Sequence, residues 1–181
     1  MYGIVNKAIQ DLITEGYGYE KWEAIRKRSE LEVEFFLLNE AYDDAITYKL
    51  AIAASEELNL STDEILKSLG EWWVLRTSTQ HFGSMMKAGG KNLREFLINL
   101  PNFHNRISLM YPKLAPPEFK ISHLEADSLH LHYFSGRQGL KEFVRGLIQG
   151  LSKSYNEPVA ITLLQSREEG SDHETFKICW Q

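Results

Sequence analysis

A chain of 181 residues that is 43% hydrophobic and 12% aromatic can bury one good core, or one core divided between two packed lobes. A formal charge of -5, a pI near 5.7 and no stripe of clustered Lys and Arg argue against nucleic acid as the main partner. The lone Cys179 excludes an internal disulfide, and no apolar run is long enough for a membrane span or signal peptide, which together fit a reducing cytoplasm and no membrane partner.

Ile4, Val5, Ala8, Ile9, Leu12 and Ile13 recur at helical spacing, and Gly16-Tyr17-Gly18 stops the pattern, so the spacing predicts a helix from the very start. A short helix is predicted around Tyr19 to Ser29, and a third, capped by Asp43 or Asp44, runs to about Leu58. Ser61-Thr62-Asp63-Glu64 has the form of a capping box and should open a long helix. Ile65, Leu66, Leu69, Trp72 and Trp73 form its apolar stripe, which ends near Thr77-Ser78-Thr79. Gly89-Gly90 breaks the chain before Asn92, a cap for Leu93 to Leu100. Pro101 suits the first turn of a separate short helix carrying His104 and Ile107, and Tyr111-Pro112 through Pro116-Pro117 ends the helical half.

The texture then changes to alternation. Phe119 and Ile121, then Leu129, Leu131 and Tyr133, read as an antiparallel hairpin turning at Glu125 to Ser128. Leu140, Phe143, Val144, Leu147, Ile148 and Leu151 mark an amphipathic helix, and two last strands frame Glu168 to Asp172. The expected architecture is α+β in a single domain, 1–181. A helical N-terminal lobe, roughly 1–60, packs on a C-terminal lobe, roughly 61–181, with a four-stranded antiparallel sheet.

Tyr133-Phe134-Ser135-Gly136-Arg137 places two hydroxyls and a guanidinium at every second residue. On an extended chain these share a face, a receptor for paired carboxylates or a phosphate. His104 alone would be an ordinary structural histidine. Beside such a receptor it gains weight, because a neutral imidazole is a common axial ligand of haem iron and haem carries two propionates.

With Tyr133-x-Ser135-x-Arg137, Asn102-Phe103-His104-x-Arg106, Met1-Tyr2-Gly3 and Gly170-x-Asp172-His173 in this order, the chain resembles the haem-nitric oxide/oxygen binding (H-NOX) domains. These are bacterial relatives of the haem domain of soluble guanylate cyclase, and the resemblance covers essentially the full length. It implies that haem b lies between the lobes, with His104 as the proximal iron ligand and Tyr133, Ser135 and Arg137 on the propionates. It also implies that Pro117 presses on the macrocycle and that Tyr2 belongs to the cofactor pocket. Oxygen-binding members place a Tyr on the helix after this segment, whereas Gly139 to Ser152 contains none. Val5, Trp73, Phe143 and Leu147 are the expected distal wall, with only the Trp73 indole able to donate.

Other constellations carry less. His130 and His132 share a strand face and could meet His123 around zinc, but a solvated polar face fits their spacing better. The family's cysteine zinc site is not expected with Cys179 alone. Glu168 and Glu169 read as a charged hairpin tip rather than an acid/base pair. The functional expectation is a non-catalytic cytoplasmic haem sensor of nitric oxide, also binding carbon monoxide. It would signal through loosening of the His104 bond to a separate partner, a histidine kinase or a cyclic-di-GMP enzyme. A haem protein binding oxygen or carbon monoxide for sensing or storage, a peroxidase-type enzyme and a haem-free interaction domain are the rivals. A peroxidase would need a polar distal acid/base that the expected wall lacks.

Overall fold

Helix α1 (Gly3–Tyr17) begins at a residue that has no room for a side chain, since a Cβ on Gly3 would lie 2.1 Å from the Leu37 carbonyl oxygen. The computed structural model describes residues 1–111, 113 and 115–181. Gly18, with φ of 92°, turns the chain into α2 (Tyr19–Arg28), which buries Trp22 and Ile25. Asp43 caps α3 (Asp44–Leu58), its side chain accepting from the Ala45 N–H at 2.9 Å. The capping box at Ser61 and Glu64 is present in both directions and opens α4 (Thr62–Trp72).

Two expected helix ends are absent. The stripe of α4 does not stop at Thr77-Ser78-Thr79. It widens into a π-helical segment, Trp73–Ser78, and continues as α5 (Thr79–Gly89), whose helical dihedrals lapse only at Phe82. Thr79 supports the wide turn by donating its hydroxyl to the Val74 carbonyl at 3.1 Å, so hydroxyls that read as a stop brace a continuation. Pro101 likewise starts nothing: it lies inside one helix, α6 (Leu93–Met110), capped by Asn92. An interior proline forfeits one backbone hydrogen bond and costs about 3 kcal/mol. Burial of Phe96, Leu97, Leu100 and Ile107 along the same helix offsets this. Pro112, read as part of the helix stop, lies outside the described residues.

The second half is a single antiparallel sheet in the order β1-β2-β4-β3, formed by β1 (Glu118–Ser122), β2 (Ser128–Phe134), β3 (Val159–Gln165) and β4 (Glu174–Trp180). Helix α7 (Lys141–Tyr155) connects β2 to β3. Phe119 opposes Tyr133 and Leu131 opposes Phe176, which puts the buried aromatics on one face and Ser122, His130 and His132 on the other. The fold is therefore the α+β arrangement the sequence implies.

Glycines hold α4 and α7 at close range. A Cβ on Gly70 would fall 2.1 Å from the Phe143 carbonyl oxygen, and one on Gly146 would fall 2.0 Å from that of Lys67. Backbone against backbone brings Phe143 and Leu147 up to Trp73, which borders both major cores. One core joins α1, α2 and α3 to the first half of α4; the other joins α6 and α7 to the sheet.

Candidate functional site

Between the two cores lies an apolar cleft of about 190 Å³ that opens to solvent at one end. Met1, Tyr2 and Val5 come to it from the start of the chain and the first turn of α1, Trp73 from the π-helical segment, and His104 from α6. Pro117, Tyr133, Arg137, Phe143 and Leu147 complete the part foreseen from the sequence. Ser135 is the exception, for it does not line the cleft. Its hydroxyl accepts from the Arg137 N–H at 3.0 Å and shapes the bend that presents the guanidinium.

His104 is oriented for ligation. Its Nδ1 lies 3.1 Å from the Leu100 carbonyl, which can only accept, so Nδ1 carries the proton and Nε2 keeps its lone pair. Burial pushes the imidazole below its ordinary pKa, more than the backbone hydrogen bond raises it, and the ring is neutral at physiological pH. Phe119 packs on it at 4.9 Å between centroids and Phe103 meets it edge-on at 5.8 Å, fixing the ring plane. A neutral, aimed, second-nitrogen-anchored imidazole in an apolar cleft is the arrangement of a metal-ligating histidine.

At the mouth, Arg137 donates from Nε to Asp44 Oδ2 at 2.8 Å, from Nη2 to Oδ1 at 3.3 Å, and from Nη1 to the Ala115 carbonyl at 2.9 Å. Asp44 also accepts from the Met1 ammonium. Burial would push the Asp44 carboxyl up, but that ammonium and the guanidinium outweigh it and hold the group below the usual carboxylate range. The stabilisation this tie gives is thus full above the unfolded value of about 4 and is lost as pH falls from there through the lower folded value. The sequence offered Asp44 only as a helix cap; its role in joining α3 to the Arg137 segment is set by position in space. Arg167, also unforeseen, braces that segment by donating to the Ser135 and Arg137 carbonyls at 2.8 and 3.0 Å. Tyr133 is buried, which raises its phenol pKa and keeps it a donor; the neighbouring Ser135 hydroxyl only partly offsets this.

The upper wall, Val5, Phe143 and Leu147, is apolar. The Thr47 hydroxyl also faces the cleft, but it donates to Asn6 at 2.6 Å. Ser78 from the π-helical segment adds a hydroxyl that helical periodicity could not foresee, because a π turn shifts which residues face inward. Elsewhere, His123 stacks on His130 at 4.3 Å while His132 turns away toward His173, so the three histidines considered for zinc do not converge. Glu168 and Glu169 sit in an exposed turn. Among the described residues, no helix is long and apolar enough to cross a membrane.

An apolar slot lined by a neutral imidazole, a guanidinium and the buried phenols of Tyr2 and Tyr133 suits a flat, metal-bearing ligand with anionic groups at its edge. Sequence comparison agrees: the Haem-NO-binding family matches residues 2–163, and the chain belongs to that family. The chain is 28% identical over 165 residues to the soluble guanylate cyclase gcy-31 of Caenorhabditis elegans, covering 91% of this chain and 24% of that one. It is 30% identical over 173 residues to gcy-37 of the same organism, covering 93% and 24%. It therefore spans about a quarter of the length of these curated relatives. Among solved structures, the Fe(II) unliganded H-NOX protein of K. algicida superposes with a TM-score of 0.87 at 26% identity, over 100% of this chain and 97% of that one. The S. oneidensis H-NOX protein in its Fe(II)NO state gives 0.90 at 16% identity, covering 100% and 99%, which speaks for the fold alone.

Proposed function

We propose that the domain is a cytoplasmic nitric oxide sensor built on haem b, binding carbon monoxide as well but excluding oxygen. Its output would pass to a signalling enzyme, a histidine kinase or a cyclic-di-GMP enzyme, rather than arise from chemistry of its own. The supporting observation is the pairing of a neutral, anchored His104 with an upper wall whose α7 side carries Phe143 in place of a phenol. Bound haem would supply a ferrous iron able to take a diatomic gas, with His104 as its protein ligand. Tyr133 and Arg137 would hold the propionates, with Ser135 positioning Arg137. Pro117 would press on the macrocycle, and Tyr2 would line the pocket that holds it.

His104 links the cleft to α6 through Leu100 and to β1 through Phe119, so a change in load on its ring reaches both elements. The Asp44 tie between α3 and the Arg137 segment holds the two cores in one orientation. Gas binding would bias that orientation in proportion to its differential affinity for the two arrangements.

Absorption spectra of the reduced protein under argon, then air, then nitric oxide test the reading. A Soret band that shifts with nitric oxide and not with air is expected; a stable oxygenated spectrum would overturn the selectivity and point to Trp73 or Ser78 as donor. Phe143→Tyr should introduce measurable oxygen affinity, and an unchanged spectrum in air would place residue 143 away from the gas. Arg137→Ala should weaken haem retention by roughly ten- to a hundredfold, the equivalent of one charge-assisted bond of about 1.5–3 kcal/mol. Haem transfer to a competing apoprotein measures it, and parental retention would remove Arg137 from the propionates.

A further inference from the structure

The solvent face of the sheet carries a second ordered constellation, remote in kind from the cleft. His132 of β2 and His173, just before β4, face each other with Nδ1 and Nε2 only 2.9 Å apart. The outer nitrogen of each ring is held: His173 Nδ1 by the Asp172 carboxylate, His132 Nε2 by the Ser122 hydroxyl at 2.7 Å. Ser122 also lies 2.9 Å from His123 Nδ1. Thr175 places its hydroxyl 3.2 Å from both inner nitrogens and donates to Gln165 at 2.9 Å. Phe134 stacks on His173 at 4.1 Å between centroids and fixes its plane.

The donors and acceptors balance with every ring neutral. Asp172 can only accept, so His173 carries its proton on Nδ1 and offers a lone pair at Nε2. His132 then donates from Nδ1 to that lone pair, and Ser122 donates to His132 Nε2 while accepting from His123. A single proton thus separates two imidazole nitrogens whose far sides are anchored, one of them by a carboxylate. Replacing that proton by a cation requires His132 only to move it to Nε2, where it donates to Ser122. Ser122 rotates to donate to His123 Nδ1, and His123 shifts its own proton to Nε2.

We propose that His132 and His173 form a two-imidazole site for a divalent transition-metal ion of the Zn2+ or Cu2+ class, with Asp172 as the carboxylate that orients His173. Tetrahedral zinc with metal–nitrogen bonds of about 2.0–2.1 Å needs its two nitrogens about 3.4 Å apart, so the rings must part by about half an ångström. Imidazole suits these ions, and the Asp172–His173 bond reproduces the carboxylate support of ligating histidines. Among the described residues no set of three His, Cys, Asp or Glu side chains converges, so water completes the sphere, with the Thr175 hydroxyl beside it. Lys120, whose ammonium sits over the Phe134 ring at 4.8 Å, and Lys177, which opposes His130 across the strands, work against the cation. Asp172 works for it. The site is accordingly one of moderate affinity.

The inference is independent of the haem reading. Calorimetric titration of the haem-loaded protein with Zn2+, and separately with Cu2+, should show one saturable ion per chain, with the Soret band unchanged. The electron paramagnetic resonance of the Cu2+ complex should carry splitting from two nitrogens, a readout that needs no substitution. His132→Gln and His173→Gln should each weaken binding at least about tenfold, as Asp172→Asn should through loss of orientation. His130→Gln should not. Undiminished affinity in the His132 and His173 variants would overturn the assignment, as would a site abolished by His130→Gln or no saturable binding below about 1 mM.

Discussion

His104→Gly should lose the absorption signature of imidazole-ligated haem and regain it when free imidazole is added. The native ring fills a slot between Phe119 and Phe103 and is held through Nδ1 by the Leu100 carbonyl. Deleting it leaves a ring-shaped hole with its hydrogen-bond acceptor still in place, and imidazole from solution can use both. The stability cost is about 3 kcal/mol, combining the cavity with the entropy of an interior helical glycine. Occupancy by imidazole should recover part of it. Absorption spectra and thermal midpoints, each with and without imidazole, provide the measurement. A spectrum identical to the parent's would place the iron ligand elsewhere.

Gly146→Ala should be the most damaging single methyl in the molecule. Its Cβ would stand 2.0 Å from the Lys67 carbonyl oxygen and 2.8 Å from the Lys67 carbonyl carbon. Neither is a flexible side-chain end that can swing aside, so α4 and α7 must separate along their whole crossing. Overpacking of this kind costs about 3 kcal/mol, well above the roughly 1 kcal/mol that alanine gains in helix propensity. With a net loss of about 2 kcal/mol, the thermal midpoint of a chain of this size should fall by roughly 4–8 °C. Phe143 and Leu147 flank the site on α7, so gas affinity should change with it. Gly83→Ala is the control: nothing lies within 4 Å of its Cβ in α5, and up to about 1 kcal/mol of stabilisation is expected. A Gly146→Ala protein as stable as the parent would refute the close crossing.

Much of this molecule is written locally. The Ser61–Glu64 box, the Asp43 and Asn92 caps and the alternation of β2 involve partners within a few residues, so residue order alone specifies them. The same holds for the spacing that puts Phe143 and Leu147 on one face of α7. The candidate site residues came to notice for a different reason: four short patterns in fixed order pointed to the family, and nine of the ten residues expected at its site line one cleft. Ser135 does not line it; its hydroxyl accepts from the Arg137 N–H and shapes the bend beneath the guanidinium. Pattern reading finds which residues belong together but not which atom of each is already engaged.

Where sequence reading stopped short, a distant partner decided the outcome. Proline and a Thr-Ser-Thr run are local stop signals, yet α6 passes through Pro101 and α4 continues through a π turn into α5. Burial along those helices outweighs one lost hydrogen bond. Asp44 could cap a helix or pair with Arg137, 93 positions along the chain, and only the packing of the two cores selects the second role. His132 could have joined His130 on its own strand and His123 after β1; the pairing of β2 with β4 gives it to His173 instead. Caps, turns and periodicities are short-range and therefore readable in order along the chain. The ion pair, the π turn and the histidine pair depend on long-range burial that no window of sequence contains, and the tertiary structure alone decides them.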